Sequence, residues 1–395
     1  GSPSLQPYGS LDHEVIHSIN RSDLNALLLD AAEATGMVEI IFGHRLRRVD
    51  VEARQLFFTT GPDDPEFAVS FGLVFGADGT NSPTREALLE ENGGSFREEP
   101  LDHGYKELTI PPEADGTFRL NPNALHIWPR GDFMLIALAN PSGDFTATLF
   151  LPNEPGVADP GGSFAELDSA SAVAAFFQRE FPSFVELVPD LVEQFFENPT
   201  GDLGTIRCDG WASTDRMVIL GDAAHGIVPF HGQGMNAALE SAQRLVEALD
   251  AHPHDVARAL ASFSETRKPN ADAIADMALT NYWEMRAGVT DERYLAKRTL
   301  ALDFQTRFPD RFLPRYGMVM FSTLPYADVV ERHARQDAVL EQLLDETAAA
   351  GAAEVDMERA SILVGALDRF PEDAVPASAT PAWATEPRTS TGERQ

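Results

Sequence analysis

One segment constrains the fold more than any other, namely residues 220–240 with the sequence LGDAAHGIVPFHGQGMNAALE. The apolar residues that lead into it predict a buried strand that ends in Gly-Asp, followed by a glycine-rich turn and a helix. Asp222 would then lie at the carboxyl end of a parallel strand, where open α/β sheets bind ligands, and could accept hydrogen bonds from a polyol. Gly232 and Gly234 have no Cβ, so a flat ring can lie against their backbone.

The helix after this turn contributes to both the site and the predicted core. It is expected to begin near Met235 and Asn236, so that its positive end faces the glycine-rich turn and favours an anion. An ordinary strand, an Asp N-cap and a helix would give the same pattern without a ligand. Apolar residues recur along the helix at intervals of three and four, which predicts a core face. That face comprises Met235, Leu239, Ala242, Val246 and Leu249.

A second motif, GADGTNSPTR at residues 76–85, also follows an apolar run, FGLVFGADG. Uninterrupted apolar strands are typical of parallel sheets that are covered on both faces. Asp78 and Gly79 alone would indicate only a common turn. Because two apolar strands each end in a loop of Gly and Asp, the sequence favours a ligand site that both loops share.

The remaining segments predict a mixed architecture. Residues 20–36 begin with Asn as an N-cap and stop at Gly36, which predicts a helix, and VEIIFG and RQLFFTT then predict strands. Between residues 100 and 152 we expect an antiparallel sheet of YKELTI, TFRL, ALHIWP, FMLIALA and FTATLFL. Residues 165–197 and 252–345 show helical spacing.

Composition excludes several classes of function. Acidic residues outnumber basic ones 62 to 30, and a net charge of −32 disfavours nucleic acid and anionic membranes as partners. The single Cys208 and the absence of a signal-peptide pattern are typical of a cytoplasmic protein. His225 and His231 have no acidic partner at ligand spacing, so no metal is expected.

Both motifs, with a helix carrying Arg21 ahead of them, resemble the FAD-dependent aromatic hydroxylases of the p-hydroxybenzoate hydroxylase type. The resemblance implies an α/β fold with a Rossmann-type FAD domain, an antiparallel-sheet substrate domain and a C-terminal helical region. It implies that Arg21 and Asp222 contact the flavin and that Asp78 and Gly79 lie near its pyrophosphate. The implied boundaries are 11–86 and 200–250 (FAD domain), 1–10 and 87–199 (substrate domain), 251–345 (helical region) and 366–395 (disordered tail).

Within this group the chain is most similar to the kynurenine 3-monooxygenases, through QPYGS, EVIHSINRSDLN, HGYKELTI, NALHIWPRGDFM, FTATLFL, IVPFHGQGMN, NYWEMR and RFLPRYGMVMFS. The likeness implies an enzyme that uses FAD, NADPH and O₂ to hydroxylate L-kynurenine at C3 through a flavin C4a-hydroperoxide. It also implies that the protein could form a homodimer. Three groups of residues are implied, namely Tyr8, Asn281 and Tyr316 around the amino-acid end of the substrate, Leu125, Ile136, Leu138 and Phe150 around its ring, and Phe230 with His231 between substrate and flavin. The tyrosines could instead be half-buried with satisfied hydroxyls, and the strand residues could be plain core.

The sequence contains no G-x-G-x-x-G turn, with which such FAD domains open. The resemblance also places a carboxylate-binding arginine before residue 1. The FAD domain is therefore expected to be incomplete at its N-terminus and to bind FAD weakly by itself. Two alternatives stay open, a hydroxylase of another anthranilate-like aromatic and a binding protein without flavin chemistry.

Overall fold

The computed structural model describes residues 14–156, 162–287, 292–372 and 374. The chain divides into two compact units, Ser18–Arg286 and a unit formed by Gly1–His17 with Ala287–Gln395. Tyr8 lies outside the described residues, as does the predicted tail beyond residue 374. None of the described helices has the length and hydropathy that a membrane span requires.

The predicted parallel strands are β4 (Val74–Gly76) and β11 (Met217–Ile219), which pair in parallel, with β10 (Ala212–Ser213) antiparallel to β11. The pairing confirms the prediction made from the two apolar runs. We also expected both faces of these strands to be covered by other elements. That expectation is wrong for β4, where Phe75 is 49% exposed. The core beneath β11 includes Trp211, Phe263 and residues of α2 (Pro83–Asn92).

The predicted antiparallel sheet has five strands in the order β6-β7-β8-β5-β9. TFRL is not one of them, because residues 117–120 form no strand. Side chains alternate between the two faces. One face packs against α3, α4 and α5 through Leu135, Leu149 and Phe177. The bounds are β5 Phe96–Ile110, β6 His126–Pro129, β7 Met134–Ala139, β8 Phe145–Pro152, β9 Thr200–Cys208, α3 Ala170–Glu180, α4 Pro182–Val185 and α5 Leu191–Glu197.

A small antiparallel sheet precedes β4. It consists of β1 (Arg45–Asp50), β2 (Gln55–Thr59) and β3 (Phe67–Ser70). RQLFFTT is therefore confirmed as a strand, whereas the prediction for VEIIFG is wrong, since residues 38–43 lie in a loop. Ile41 and Phe42 are exposed in this loop. The prediction failed because it rested on their hydrophobicity, and no described strand pairs with this segment.

The predicted first helix is α1 (Arg21–Ala34). The Asn20 side chain accepts a hydrogen bond from the Ser22 amide at 2.8 Å, which confirms the N-cap. No residue of α1 is buried, however, so its leucines do not enter the core.

The predicted core face of α7 (Gly234–Ala251) is wrong except at Leu249, which is half-buried and packs against the core beneath β11. Met235, Leu239 and Val246 are between 46% and 56% exposed. The helix buries Ala237, Ser241 and Leu245 instead. The reason is that Arg267 of α8 (Val256–Ala287) approaches closely, and donates to the Ser241 hydroxyl and to the Ala237 carbonyl, each at 2.9 Å. The small side chains of Ala237 and Ser241 leave room for this guanidinium. Periodicity alone favoured the face with the larger apolar side chains.

The unit that contains the C-terminal region is helical, as predicted. Phe304, Phe312 and Leu343 lie in its core. Within the stretch predicted as a tail, the Phe370 amide donates to the Asp310 carbonyl at 2.9 Å, and the domain boundaries stay a prediction. The bounds are α9 Glu292–Arg307, α10 Arg315–Phe321, α11 Tyr326–Ala349 and α12 Met357–Gly365.

Candidate flavin and substrate site

The two ligand-binding motifs lie side by side. Gly76 of β4 is paired with Ile219 of β11, and the Leu220 amide donates to the Gly76 carbonyl at 3.0 Å. Because parallel strands end at the same side of a sheet, the loop after β4 (residues 77–82) and the loop and short helix α6 (Asp222–His225) after β11 share one border. We call these two segments the cofactor loops.

Arg85 joins the cofactor loops. Its guanidinium donates to the Ala223 carbonyl at 3.0 Å and to the Thr80 carbonyl at 2.6 Å, and the side chain is only 3% exposed. Sequence reasoning missed this residue, because its position in the first turn of α2 is also typical of a surface arginine. The final Arg of GADGTNSPTR was the only local signal.

Asp78 shapes the first cofactor loop. Its carboxylate accepts hydrogen bonds from the Ser82 hydroxyl at 2.5 Å and from the Thr84 amide and hydroxyl at 3.1 and 2.8 Å. These bonds fix the start of α2. The adjacent Gly79 has φ +81°, and no atom lies within 4 Å of where its Cβ would be. The loop therefore presents open backbone to a ligand.

Asp222 opens the second cofactor loop at the first position of α6, after Gly221 with φ +59°. Burial by the surrounding protein raises the pKa of its carboxyl, and the positive charge of Arg21 counteracts this rise. Arg21 also forms a 3.6 Å ion pair with Glu107 of β5. The structure thus brings together the two residues that the resemblance implied as flavin contacts.

The glycine-rich turn leaves space for a flat ring. Gly232 has φ +64° and no atom within 4 Å of the position of a Cβ, and at Gly234 the nearest atom is 3.9 Å away. Met235 and Asn236 are exposed in the first turn of α7. This open cradle beside a helix N-terminus fits the isoalloxazine of FAD.

Several predicted substrate residues lie in one apolar cluster on the second face of the five-stranded sheet. Ile136, Phe150 and Phe230 belong to it, and the rings of Phe150 and Phe230 are 5.4 Å apart. Leu138 follows Ile136 on the same face of β7, and both are half-buried. Leu125, also half-buried, precedes β6.

Asn281 and Tyr316, which are predicted to hold the amino-acid end of the substrate, belong to different units of the chain. Asn281 of α8 donates from its side-chain amide to the Phe230 carbonyl at 2.7 Å. Tyr316 lies in α10 of the other unit and is 37% exposed. Their roles stay a prediction.

The two histidines of the glycine-rich segment are both buried. His225 stacks on Trp211 with a centroid distance of 5.2 Å, and its Nε2 lies 3.0 Å from the Ser241 hydroxyl. Burial, reinforced by the positive charge of Arg267, lowers the pKa of His225 to about 4. No group of three or more potential metal ligands occurs in the part of the chain that the structure describes.

Comparison with known proteins decides the family. Residues 194–278 match the model of an FAD binding domain. A kynurenine 3-monooxygenase of Xanthomonas campestris is 46% identical over 340 residues, which cover 86% of this chain and 73% of that protein. One from Stenotrophomonas maltophilia is also 46% identical, with the same coverage of 86% and 73%.

The chain belongs to the kynurenine 3-monooxygenase family. Solved structures agree with the fold expected for such a member. 2-Methyl-3-hydroxypyridine-5-carboxylic acid oxygenase superposes with a TM-score of 0.54 at 21% identity, over 70% of each chain. Klebsiella pneumoniae HpxO, solved with FAD and uric acid, superposes with a TM-score of 0.53 at 19% identity, over 73% of this chain and 69% of that one. The fold class predicted from the sequence is thus confirmed.

Proposed function

We propose that this protein is an FAD-dependent monooxygenase that converts L-kynurenine, NADPH, H⁺ and O₂ into 3-hydroxykynurenine, NADP⁺ and water. The observation that carries the proposal is the 46% identity to kynurenine 3-monooxygenases over 86% of the chain. The open backbone at Gly79, Gly232 and Gly234 and the apolar cluster around Phe150 and Phe230 support it. A homodimer and a cytoplasmic location stay predictions.

In this proposal the cofactor loops and the glycine-rich turn hold the flavin. FAD, when bound, takes electrons from NADPH and activates O₂ for transfer to an aromatic ring. Asp222 accepts hydrogen bonds from the ribityl hydroxyls, and Arg21 keeps a positive charge beside that carboxylate. Gly79 leaves its backbone accessible to the pyrophosphate, and Gly232 and Gly234 provide the flat surface under the isoalloxazine.

The apolar cluster orients the substrate ring and excludes water. The amino group of kynurenine activates the adjacent ring carbon, so that the protein mainly needs to position this carbon and keep the site dry. Ile136, Leu138 and Phe150 provide an apolar wall on the sheet, and Phe230 covers it from the glycine-rich segment. No general base is required for this role.

Product analysis tests the proposal. The purified holoenzyme, supplied with NADPH, L-kynurenine and ¹⁸O₂, is expected to form 3-hydroxykynurenine that contains one ¹⁸O atom, as measured by mass spectrometry. Anthranilate and tryptophan serve as competing substrates at equal concentration. Faster hydroxylation of either compound, or NADPH oxidation that kynurenine does not stimulate, would contradict kynurenine as the substrate.

A further inference from the structure

A polar cluster with a buried His103 and Tyr282 and an exposed Asp102 lies behind Phe230, in residues to which no role has yet been given. We propose that Tyr282 is a positioning residue, whose hydroxyl is fixed by Asp102 and His103 and whose ring in turn fixes Phe230. The inference rests on the proposed function, because it concerns the wall of the kynurenine pocket.

The cluster is built from three separate elements. Asp102 and His103 lie on β5, at the irregularity in its pairing with β9 between Pro100 and Gly104. Tyr282 reaches them from α8, and its hydroxyl lies 2.9 Å from Asp102 Oδ1 and 2.9 Å from His103 Nδ1. The third element is the β6–β7 turn, in which the Asp132 carbonyl lies 2.7 Å from His103 Nε2.

These contacts leave little freedom to the Tyr282 hydroxyl. The side chains of His103 and Tyr282 are 2% and 3% exposed, so the imidazole and the phenol are shielded from water, whereas the Asp102 side chain is 64% exposed and only its Oδ1 faces the cluster. The Asp132 carbonyl can only accept, which means that His103 Nε2 donates to it. His103 Nδ1 is also 2.8 Å from Asp102 Oδ1. The carboxylate therefore lies within hydrogen-bonding distance of both the imidazole and the phenol.

The ring of Tyr282 packs against Phe230, which lines the predicted pocket. Its centroid lies 4.7 Å from that of Phe230, which is closer than the 5.4 Å between the rings of Phe150 and Phe230. The preceding residue, Asn281, holds the Phe230 carbonyl. Two consecutive residues of α8 thus secure Phe230 at its backbone and at its ring.

The expected consequence concerns how efficiently oxygen reaches the substrate. If the Tyr282 hydroxyl loses its partners, the Phe230 ring gains freedom and water enters between the flavin and the substrate. NADPH is then consumed with release of H₂O₂ instead of hydroxylation. Flavin content changes little, because no atom of the cluster belongs to the cofactor loops.

Tyr282→Phe removes only the hydroxyl. We expect the ratio of H₂O₂ formed to NADPH consumed to rise by about three- to tenfold, the factor that corresponds to losing one hydrogen bond. FAD content and the thermal midpoint serve as checks that the variant folds. Thr280→Val is the matched control, since this exposed hydroxyl on the same helix donates to the carbonyl of Asp276 at 2.8 Å, and its ratio should equal that of the parent.

A double-mutant cycle separates positioning from general destabilisation. Asp102→Asn should uncouple the reaction in the same direction, and the variant carrying both substitutions should be no worse than the more affected single variant. Additive effects, or an unchanged ratio in Tyr282→Phe, would overturn the inference while parent activity on kynurenine still supports the proposed function. A dissociation constant for kynurenine, titrated by flavin fluorescence without NADPH, gives a second readout, and it should rise in Tyr282→Phe but not in Thr280→Val.

Discussion

The cofactor loops and the apolar substrate face are built in different ways. Each cofactor loop is a continuous stretch in which a glycine with positive φ and an aspartate follow one strand. The substrate face takes Ile136 from β7, Phe150 from β8 and Phe230 from the glycine-rich segment. The first region depends on polar and backbone geometry that neighbouring residues determine, and the second on packing between distant elements. Substitutions in the two regions should therefore affect different properties.

The largest effect is expected for Arg85→Met. The substitution removes two buried hydrogen bonds from a charged donor, to Thr80 and Ala223, and should lower the free energy of unfolding by about 3 to 5 kcal/mol. Because these bonds join the cofactor loops, bound FAD should decrease as well. Urea unfolding and the flavin absorbance of the purified protein measure the two effects. Arg97→Met, which removes an exposed arginine, is the control, and equal results in both variants would contradict the role of Arg85.

The second prediction concerns acid stability. Because the pKa of His225 is lowered from 6.5 to about 4, its contribution to stability is fully present above pH 6.5 and is lost progressively as the pH falls from 6.5 to 4, where the unfolded chain binds a proton that the buried ring does not. For a buried group the loss amounts to about 3 kcal/mol. His225→Gln should reduce the difference in unfolding free energy between pH 7 and pH 4.5, whereas the exposed His254→Gln should leave it unchanged. An identical pH dependence in all three proteins would show that His225 is not the responsible group.

A third substitution, Asp222→Asn, tests whether the Asp222 carboxylate lowers the stability of the apo-protein and strengthens FAD binding. Burial raises the pKa of Asp222, so at neutral pH the carboxylate is less favourable in the folded apo-protein than in the unfolded chain. The amide should therefore stabilise the apo-protein slightly. It should also raise the FAD dissociation constant by about tenfold, since ribityl hydroxyls lose a charged acceptor. Tight FAD binding by the variant would refute the assignment of Asp222.

The smallest effect is expected on the substrate face. Ile136→Ala shortens a half-buried side chain and should raise the KM for kynurenine severalfold with unchanged FAD content. Val69→Ala, which shortens an exposed side chain on β3, is the control and should leave the KM unchanged. If Ile136→Ala lowers flavin content instead, the separation between the two regions does not hold.

The cofactor loops could be predicted from the sequence because their signals are local. A strand, Gly-Asp and a glycine-rich turn occur within 25 residues, and the pairing of β4 with β11 confirmed the shared border. Arg85 could not be predicted, since one of its partners, Ala223, is 138 positions away. The core face of α7 was mispredicted for a related reason. Periodicity identifies an apolar stripe, but only the position of Arg267 determines which stripe is buried.

The residues of the substrate face could not be identified from periodicity alone. Alternation on β7 and β8 predicted which side chains share a face, but both faces are partly apolar and the pattern does not distinguish core from pocket. Only the resemblance to a family singled out Ile136 and Phe150. The role of Tyr282 could not be predicted from the sequence, because its partners Asp102 and His103 are about 180 positions earlier in the chain.

The most direct test is a crystal structure of the holoenzyme with L-kynurenine. We expect the ribityl hydroxyls to lie within hydrogen-bonding distance of Asp222, the isoalloxazine to lie over Gly232 and Gly234, and the kynurenine ring to contact Phe150 and Phe230. A flavin bound away from the cofactor loops, or a substrate ring outside the apolar cluster, would contradict this expectation.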